Sequence, residues 1–129
     1  MFHIDQRSST PIYQQLMQGV KEALLRGKLR FGDKMPSVRE LAGQLAINPN
    51  TIQKAYQELE RQGVIESLRG RGTFVCQHIE AHADLARQAE VNGALRKALI
   101  EAHYLGLGAE QIMAMVKEHL HDLSIGGNE

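Results

Sequence analysis

Apolar residues in the first half of the chain recur in three blocks at the three-and-four spacing of an amphipathic helix. Ile12, Leu16, Val20, Ala23 and Leu24 form the first block, opened by Thr10-Pro11 and closed by Gly27. Thr10 is expected as an N-cap and Pro11 as the first helical residue, where the missing N–H of proline costs nothing. Val38, Leu41, Ala42 and Leu45 form the second block, and Ser37 followed three residues later by Glu40 is the pattern of a capping box. Ile52, Ala55, Tyr56 and Leu59 form the third, begun by Asn48-Pro49 and ended before Gly63. Leu29 to Met35 is expected as a connecting loop with a turn at Gly32-Asp33. The second and third blocks are separated by only a few residues, the spacing of a helix-turn-helix.

The period then shortens. Val64–Leu68 and Thr73–Cys76 are β-rich runs on either side of Arg69-Gly70-Arg71-Gly72, which predicts a hairpin with a basic, glycine-rich tip. Beyond Cys76 a helical period returns: Val91, Leu95, Ala98, Leu99 and Ala102 share one face, Gly106-Leu107-Gly108 interrupts, and Ile112, Met115, Val116, Leu120 and Leu123 share another. Two short helices of this kind cannot bury their apolar faces on each other alone. They need the preceding domain or a second copy of the chain. The expected fold is mainly α with a small β-hairpin: a winged helix-turn-helix at residues 1–77, then a short two-helix dimerisation region at residues 78–129. The tail from Gly126 is expected to fray.

Charge sharpens that division. The formal net charge is zero, with 15 Lys+Arg and 15 Asp+Glu. Met1–His78 nevertheless holds eleven basic against seven acidic residues, and Ile79–Glu129 four against eight. A basic first half suggests that it is the part that meets a polyanion. No apolar run approaches the ~20 residues a bilayer requires, the first residues carry no signal-peptide pattern, and a single Cys76 cannot form an internal disulfide. A cytoplasmic location and no membrane partner are therefore expected, with Cys76 as a small packed or edge residue.

The third helix leaves Asn48, Asn50, Thr51, Gln53, Lys54 and Gln57 off its buried stripe. Asn and Gln can pair two hydrogen bonds with the major-groove edge of adenine, and Lys54 can meet guanine or phosphate. Thr51 and the helix N-terminus suit a phosphate oxygen. Arg39 stands at the start of the second helix, where the macrodipole disfavours a cation by about 0.3–1 kcal/mol. Either Glu40 neutralises it locally or it faces an external anion. Arg69 and Arg71 at the hairpin tip bring forked donors, while Gly70 and Gly72 allow close approach of backbone to a partner. No helix follows this Gly-x-Gly, so it is not a nucleotide-binding loop. His78 and His82 are four apart, and His119 lies close to His121, but no His-Glu-x-x-His or Cys-x-x-Cys accompanies them. No metal, no cofactor and no catalytic constellation are expected.

Taken in order, Pro11-Ile12-Tyr13-Gln14-Gln15-Leu16, Pro36-Ser37-Val38-Arg39-Glu40-Leu41-Ala42, Asn48-Pro49-Asn50-Thr51-Ile52-Gln53-Lys54-Ala55-Tyr56, Leu59-Glu60-Arg61-Gln62-Gly63 and Gly70-Arg71-Gly72-Thr73-Phe74-Val75 resemble the GntR family of bacterial transcription regulators. The likeness spans about residues 8–76. It implies operator contacts at Arg39, at Asn48, Asn50, Thr51 and Gln53, and at Arg71, Gly72 and Thr73. Ser37, Lys54 and Arg69 complete the candidate DNA-binding set. Residues 77–129 are too few for the ligand-binding domains of most branches and are similar to the YtrA-type branch, whose members are usually dimeric repressors of transporter operons. The resemblance thus implies a homodimeric repressor on an inverted-repeat DNA operator, with Val91, Leu95, Leu99, Ile112, Met115, Val116 and Leu120 at the dimer contact. Many members carry arginines where this chain has Pro49 and Gln53, so relatively A·T-rich contacted positions are expected. Two alternatives stand beside this one: a winged-helix module for protein interaction, and a sensor holding a small molecule or metal between the C-terminal helices. The sequence specifies no effector.

Overall fold

Helices form where the apolar spacing places them: α1 at Ile12–Leu25, α2 at Val38–Leu45 and α3 at Pro49–Arg61. An antiparallel hairpin follows, β1 at Ile65–Leu68 and β2 at Gly72–Val75, and then α4 at Leu85–Tyr104 and α5 at Ala109–Asp122. This computed structural model describes residues 2–77 and 84–126. Those residues fall into two units, one within Met1–Glu80 and the other within Ala81–Glu129.

The first unit is a winged helix-turn-helix closed around one core. Leu16, Val20 and Ala23 of α1, Leu41 and Ala42 of α2, Ile52, Ala55, Tyr56 and Leu59 of α3, and Ile65 and Val75 of the hairpin are all buried. α3 is its centre, packing against α1, α2 and β1. At the start of α1 the expected cap is displaced by one residue. Pro11, not Thr10, is the N-cap; it has no side-chain cap bond, and its carbonyl accepts from the N–H groups of Gln14 and Gln15 at 3.1 Å each. Thr10 is engaged otherwise: Gln15 Nε2 donates to the carbonyls of Thr10 and Asp5 at 2.9 Å, while Gln15 Oε1 accepts from Asp5 N–H at 2.8 Å. This clamp ties residues 5–10 back onto α1, and Phe2 and Ile4 pack against the core. At the other end Gly27 has φ +74°, and Lys28 N–H donates to Ala23 carbonyl at 2.8 Å, a left-handed stop that glycine tolerates without a Cβ clash.

α2 has the expected capping box: Ser37 Oγ accepts from Glu40 N–H at 3.0 Å, and Glu40 Oε1 from Ser37 N–H at 3.1 Å. It ends at Ala46 in the left-handed region, φ 55° and ψ 47°, which costs a residue with a Cβ about 1–2 kcal/mol. The strain sits at the corner that sets α2 against α3. Asn48 then caps α3, its side chain accepting from Asn50 N–H at 2.8 Å, and Pro49 follows.

The hairpin pairs Ile65 with Val75 and Leu68 with Gly72, and Arg71 N–H closes the tip on Leu68 carbonyl at 2.9 Å. Its strands are shifted from the expected ones by a residue. The larger difference is the segment before α2. Its turn is centred on Phe31-Gly32, one residue before the expected Gly32-Asp33, with Asp33 N–H donating to Arg30 carbonyl at 3.1 Å, and it is more than a connecting loop, because it lies along β2. Gly32 N–H donates to Val75 carbonyl at 3.0 Å, Val75 N–H to Asp33 carbonyl at 2.8 Å and Met35 N–H to Thr73 carbonyl at 2.8 Å, with a bridge between Lys34 and Phe74. β2 is therefore covered on both edges, which stiffens the wing.

In the second unit Asp84 caps α4 by accepting from Arg87 N–H at 3.1 Å, and Gly106, at φ +85°, ends it. Gln111 Oε1 accepts from Gly108 N–H at 2.8 Å at the start of α5. None of the described residues of this unit is buried. Ala102, Leu107, Ile112, Val116 and Leu123 are half-buried, whereas Val91, Leu95, Leu99, Ile100, Met113, Met115 and Leu120 are exposed.

Candidate nucleic-acid interface

The outward side of α3 is set by its core side. With Ile52, Ala55, Tyr56 and Leu59 inward, the helical period puts Asn50, Lys54, Gln57 and Arg61 opposite, with Gln53 on one flank and Thr51 on the other. Asn50, Gln53, Lys54 and Gln57 are exposed and Thr51 is half-buried. Asn48, Lys54 and Arg61 have internal ties. Asn48 spends its amide oxygen on the cap and retains its NH2 group for a partner. The Lys54 ammonium lies 4.0 Å from the centroid of the Tyr13 ring of α1. Glu58, one turn beyond Lys54, is held by Arg61 through both carboxylate oxygens and by Gln62 Nε2 at 3.1 Å.

The Glu40 carboxylate turns back onto the N–H of Ser37, and that bond, with the Ser37 hydroxyl and Lys34 assisting, holds its pKa below the usual carboxylate value. It is the helix cap, and Arg39 is exposed with no ion pair among the described residues. The Ser37 hydroxyl is used within the cap, its oxygen accepting from Glu40 N–H and its proton lying against the Glu40 carboxylate.

Tyr56 locks this region to α3, a role the apolar spacing does not reveal. Its hydroxyl donates to Pro36 carbonyl at 2.7 Å, directly ahead of the cap. Burial, with Glu40 adding to it, pushes the phenol up to about 12. Since the folded value lies above the unfolded one of about 10, the neutral phenol stabilises the fold fully below that pH. This contribution is lost as pH rises to about 12. Tyr56→Phe is expected to cost about 1–2 kcal/mol at neutral pH, by leaving the carbonyl without its donor. It should also remove this part of the alkaline loss. Denaturant titrations across that range check both, and parallel pH profiles for the two proteins would refute the assignment.

At the wing, Arg69, Gly70, Arg71 and Gly72 are exposed and Thr73 is half-buried. Gly72 has φ +118°, and a Cβ there would sit 3.3 Å from Cε of Lys34, so the bare backbone is what lets the lysine cross. Lys34 was not among the expected site residues. Its place depends on pairing with a strand some forty positions away, which no local pattern displays. Ser67 N–H donates to Glu60 Oε1 at 3.0 Å, tying the hairpin to the end of α3. Cys76, half-buried, has its thiol pushed up by burial and then by Glu66 and Glu60, which disfavours the reactive thiolate.

The structure thus gathers Ser37, Arg39, Asn48, Asn50, Thr51, Gln53, Lys54, Arg69, Arg71, Gly72 and Thr73 on one unit. The candidate dimer residues, Val91, Leu95, Leu99, Ile112, Met115, Val116 and Leu120, lie on α4 and α5 of the other. His78 and His82 lie outside the described residues. Among the described residues no three His, Cys, Asp or Glu side chains come together as a metal site, and no helix is long and apolar enough to cross a membrane.

Residues 12–75 match the family described as bacterial regulatory proteins, gntR family. Over 126 residues the chain is 45% identical to the HTH-type transcriptional repressor YtrA of Bacillus subtilis (strain 168), covering 98% of this chain and 97% of that protein. A solved structure described as a transcriptional antiterminator from Listeria monocytogenes EGD-e is 39% identical, with a TM-score of 0.85, and the match covers 95% of this chain and 92% of that one. YtrA from Sulfolobus acidocaldarius, a GntR-family transcription factor, is 28% identical with a TM-score of 0.54, covering 95% and 98% of the two chains.

Proposed function

Because the chain belongs to the GntR family, in its YtrA-like branch, and is a DNA-binding transcription regulator rather than an enzyme, we propose that it is a homodimeric repressor of a transporter operon, acting on an inverted-repeat operator. The observation that carries this proposal is the outward side of α3, amide-rich and flanked by Arg39 on α2 and by Arg69 and Arg71 on the wing, with no acidic partner for these arginines among the described residues.

α3 enters the major groove, where Asn50 and Gln53 read base edges while Asn48 and Thr51 meet backbone oxygens at the helix N-terminus. Ser37 and Arg39 flank it on one side. On the other the wing lays Arg69, Arg71, Gly72 and Thr73 along phosphates or the minor groove. The exposed apolar residues of α4 and α5 supply the symmetric contact between two chains, one half-site per chain. The repressor role is supported by the likeness to the Bacillus subtilis repressor, and the transporter target by the branch resemblance. The protein works in the cytoplasm, where such an operator lies.

Selection of bound sequences from a pool of random duplexes tests the proposal. The expected product is an inverted repeat whose contacted positions are rich in A·T, because asparagine and glutamine fit the adenine edge. Half-sites made of G·C pairs alone, or a product without two-fold symmetry, would overturn it.

A further inference from the structure

We propose that Tyr13 is a positioning residue for DNA binding: its ring holds the Lys54 ammonium as an un-neutralised charge on the α1 side of α3, aimed at a DNA phosphate. The proposal rests on α3 being the helix that faces DNA.

Lys54 is followed by Glu58 at the i,i+4 distance at which side chains on a helix meet. An ion pair there would cancel the lysine and turn its ammonium along the helix. Two contacts prevent it. Arg61 and Gln62 occupy the Glu58 carboxylate, and Tyr13 takes the ammonium at 4.0 Å. An aromatic face attracts a cation through its quadrupole yet carries no net charge. Lys54 therefore stays a full positive charge with N–H donors left for a further acceptor.

The position fits this role. Tyr13, Lys54 and Gln57 line a concavity between α1 and α3, beside the outward residues of the recognition helix. Tyr13 is half-buried against the core, so its ring is fixed by packing rather than free to follow the lysine. A lysine otherwise has a flexible four-carbon stem, and ordering it only on binding costs affinity. Pre-ordering on the ring lowers that cost. Gln14 Nε2 donates to the Tyr13 hydroxyl at 3.2 Å in an exposed contact, so the ring rather than the hydroxyl carries the effect.

The test compares wild type with Tyr13→Phe, Tyr13→Leu, Lys54→Gln and the Tyr13→Leu/Lys54→Gln pair. Affinity and its salt dependence are measured on one duplex selected with the wild-type protein. Lys54→Gln should reduce the salt slope by about one phosphate contact. Tyr13→Phe should match wild type, and Tyr13→Leu should bind about two- to fivefold more weakly. The paired variant should be no weaker than Lys54→Gln alone. A purely structural role for Tyr13 would weaken binding whether or not Lys54 is present. Full additivity of the two losses, a Tyr13→Phe variant as weak as Tyr13→Leu, or an unchanged slope in Lys54→Gln would each overturn the proposal while leaving DNA binding intact. A wild-type protein that selects no duplex at all would overturn the DNA-facing role of α3 itself.

Discussion

Replacing Leu95 and Leu99 together by glutamate is expected to convert the proposed dimer into monomers and to weaken binding to an inverted-repeat duplex by at least about a hundredfold. The two leucines stand one turn apart on α4, next to Val91, and are 51%, 40% and 69% exposed respectively within a single chain. Their unit contains no buried residue among those described, and about half of each leucine's surface still meets water within a single chain. Burying a leucine stabilises by about 1.5–3 kcal/mol, and two-fold symmetry presents each twice. Four such side chains therefore supply several kcal/mol toward association. Four glutamates reverse this contribution and add repulsion across the symmetry axis. The winged unit has its own core, so the variant should keep the fold of that unit and its affinity for a single half-site. Sedimentation equilibrium together with anisotropy titrations on whole and half operators checks the prediction. A variant that remains dimeric, or that binds both duplexes as wild type does, would show that the subunits meet elsewhere.

What the amino-acid sequence made legible was whatever is decided within one turn of helix or one hairpin. The stripe Ile52, Ala55, Tyr56 and Leu59 identified the inside of α3 and, by exclusion, the side chains available to a partner. The capping box of Ser37 and Glu40 was legible for the same reason, since both bonds span three residues. Contacts between distant segments were not. The strap held by Gln15, the alignment of residues 32–35 with β2 and the bond from Tyr56 to Pro36 each join segments whose meeting is settled by packing of the whole unit. An apolar period detects the Tyr56 ring and is blind to its hydroxyl. Thr10 shows how local and distant preferences compete: a good cap by type, it is drawn into the Gln15 clamp, and Pro11 takes the cap position without a side-chain bond. In the candidate site, residue types were legible but their existing commitments were not. Ser37 and Asn48 already serve as caps: the Ser37 hydroxyl is engaged with Glu40, and Asn48 has only its NH2 group left for a ligand.

Arg39→Ala is expected to weaken operator binding by about ten- to a hundredfold, the scale of a lost charged hydrogen-bond pair, while making the free protein slightly more stable. The two effects have opposite signs because Arg39 occupies a poor place for a cation unless an anion comes from outside. It lies in the first turn of α2, where the helix dipole opposes positive charge by about 0.3–1 kcal/mol. The neighbouring acid that would relieve this, Glu40, is held on the N–H of Ser37 as the cap. Removing the guanidinium therefore relieves the free helix and deprives the complex of a forked donor. If Arg39 meets a phosphate, the salt slope should fall by about one with base preference unchanged at every position. If it meets a base edge, preference should relax at one base pair per half-site. Melting curves and binding isotherms on the same preparation separate these outcomes. Affinity and stability falling together would mark Arg39 as part of the scaffold, and affinity unchanged would remove it from the interface.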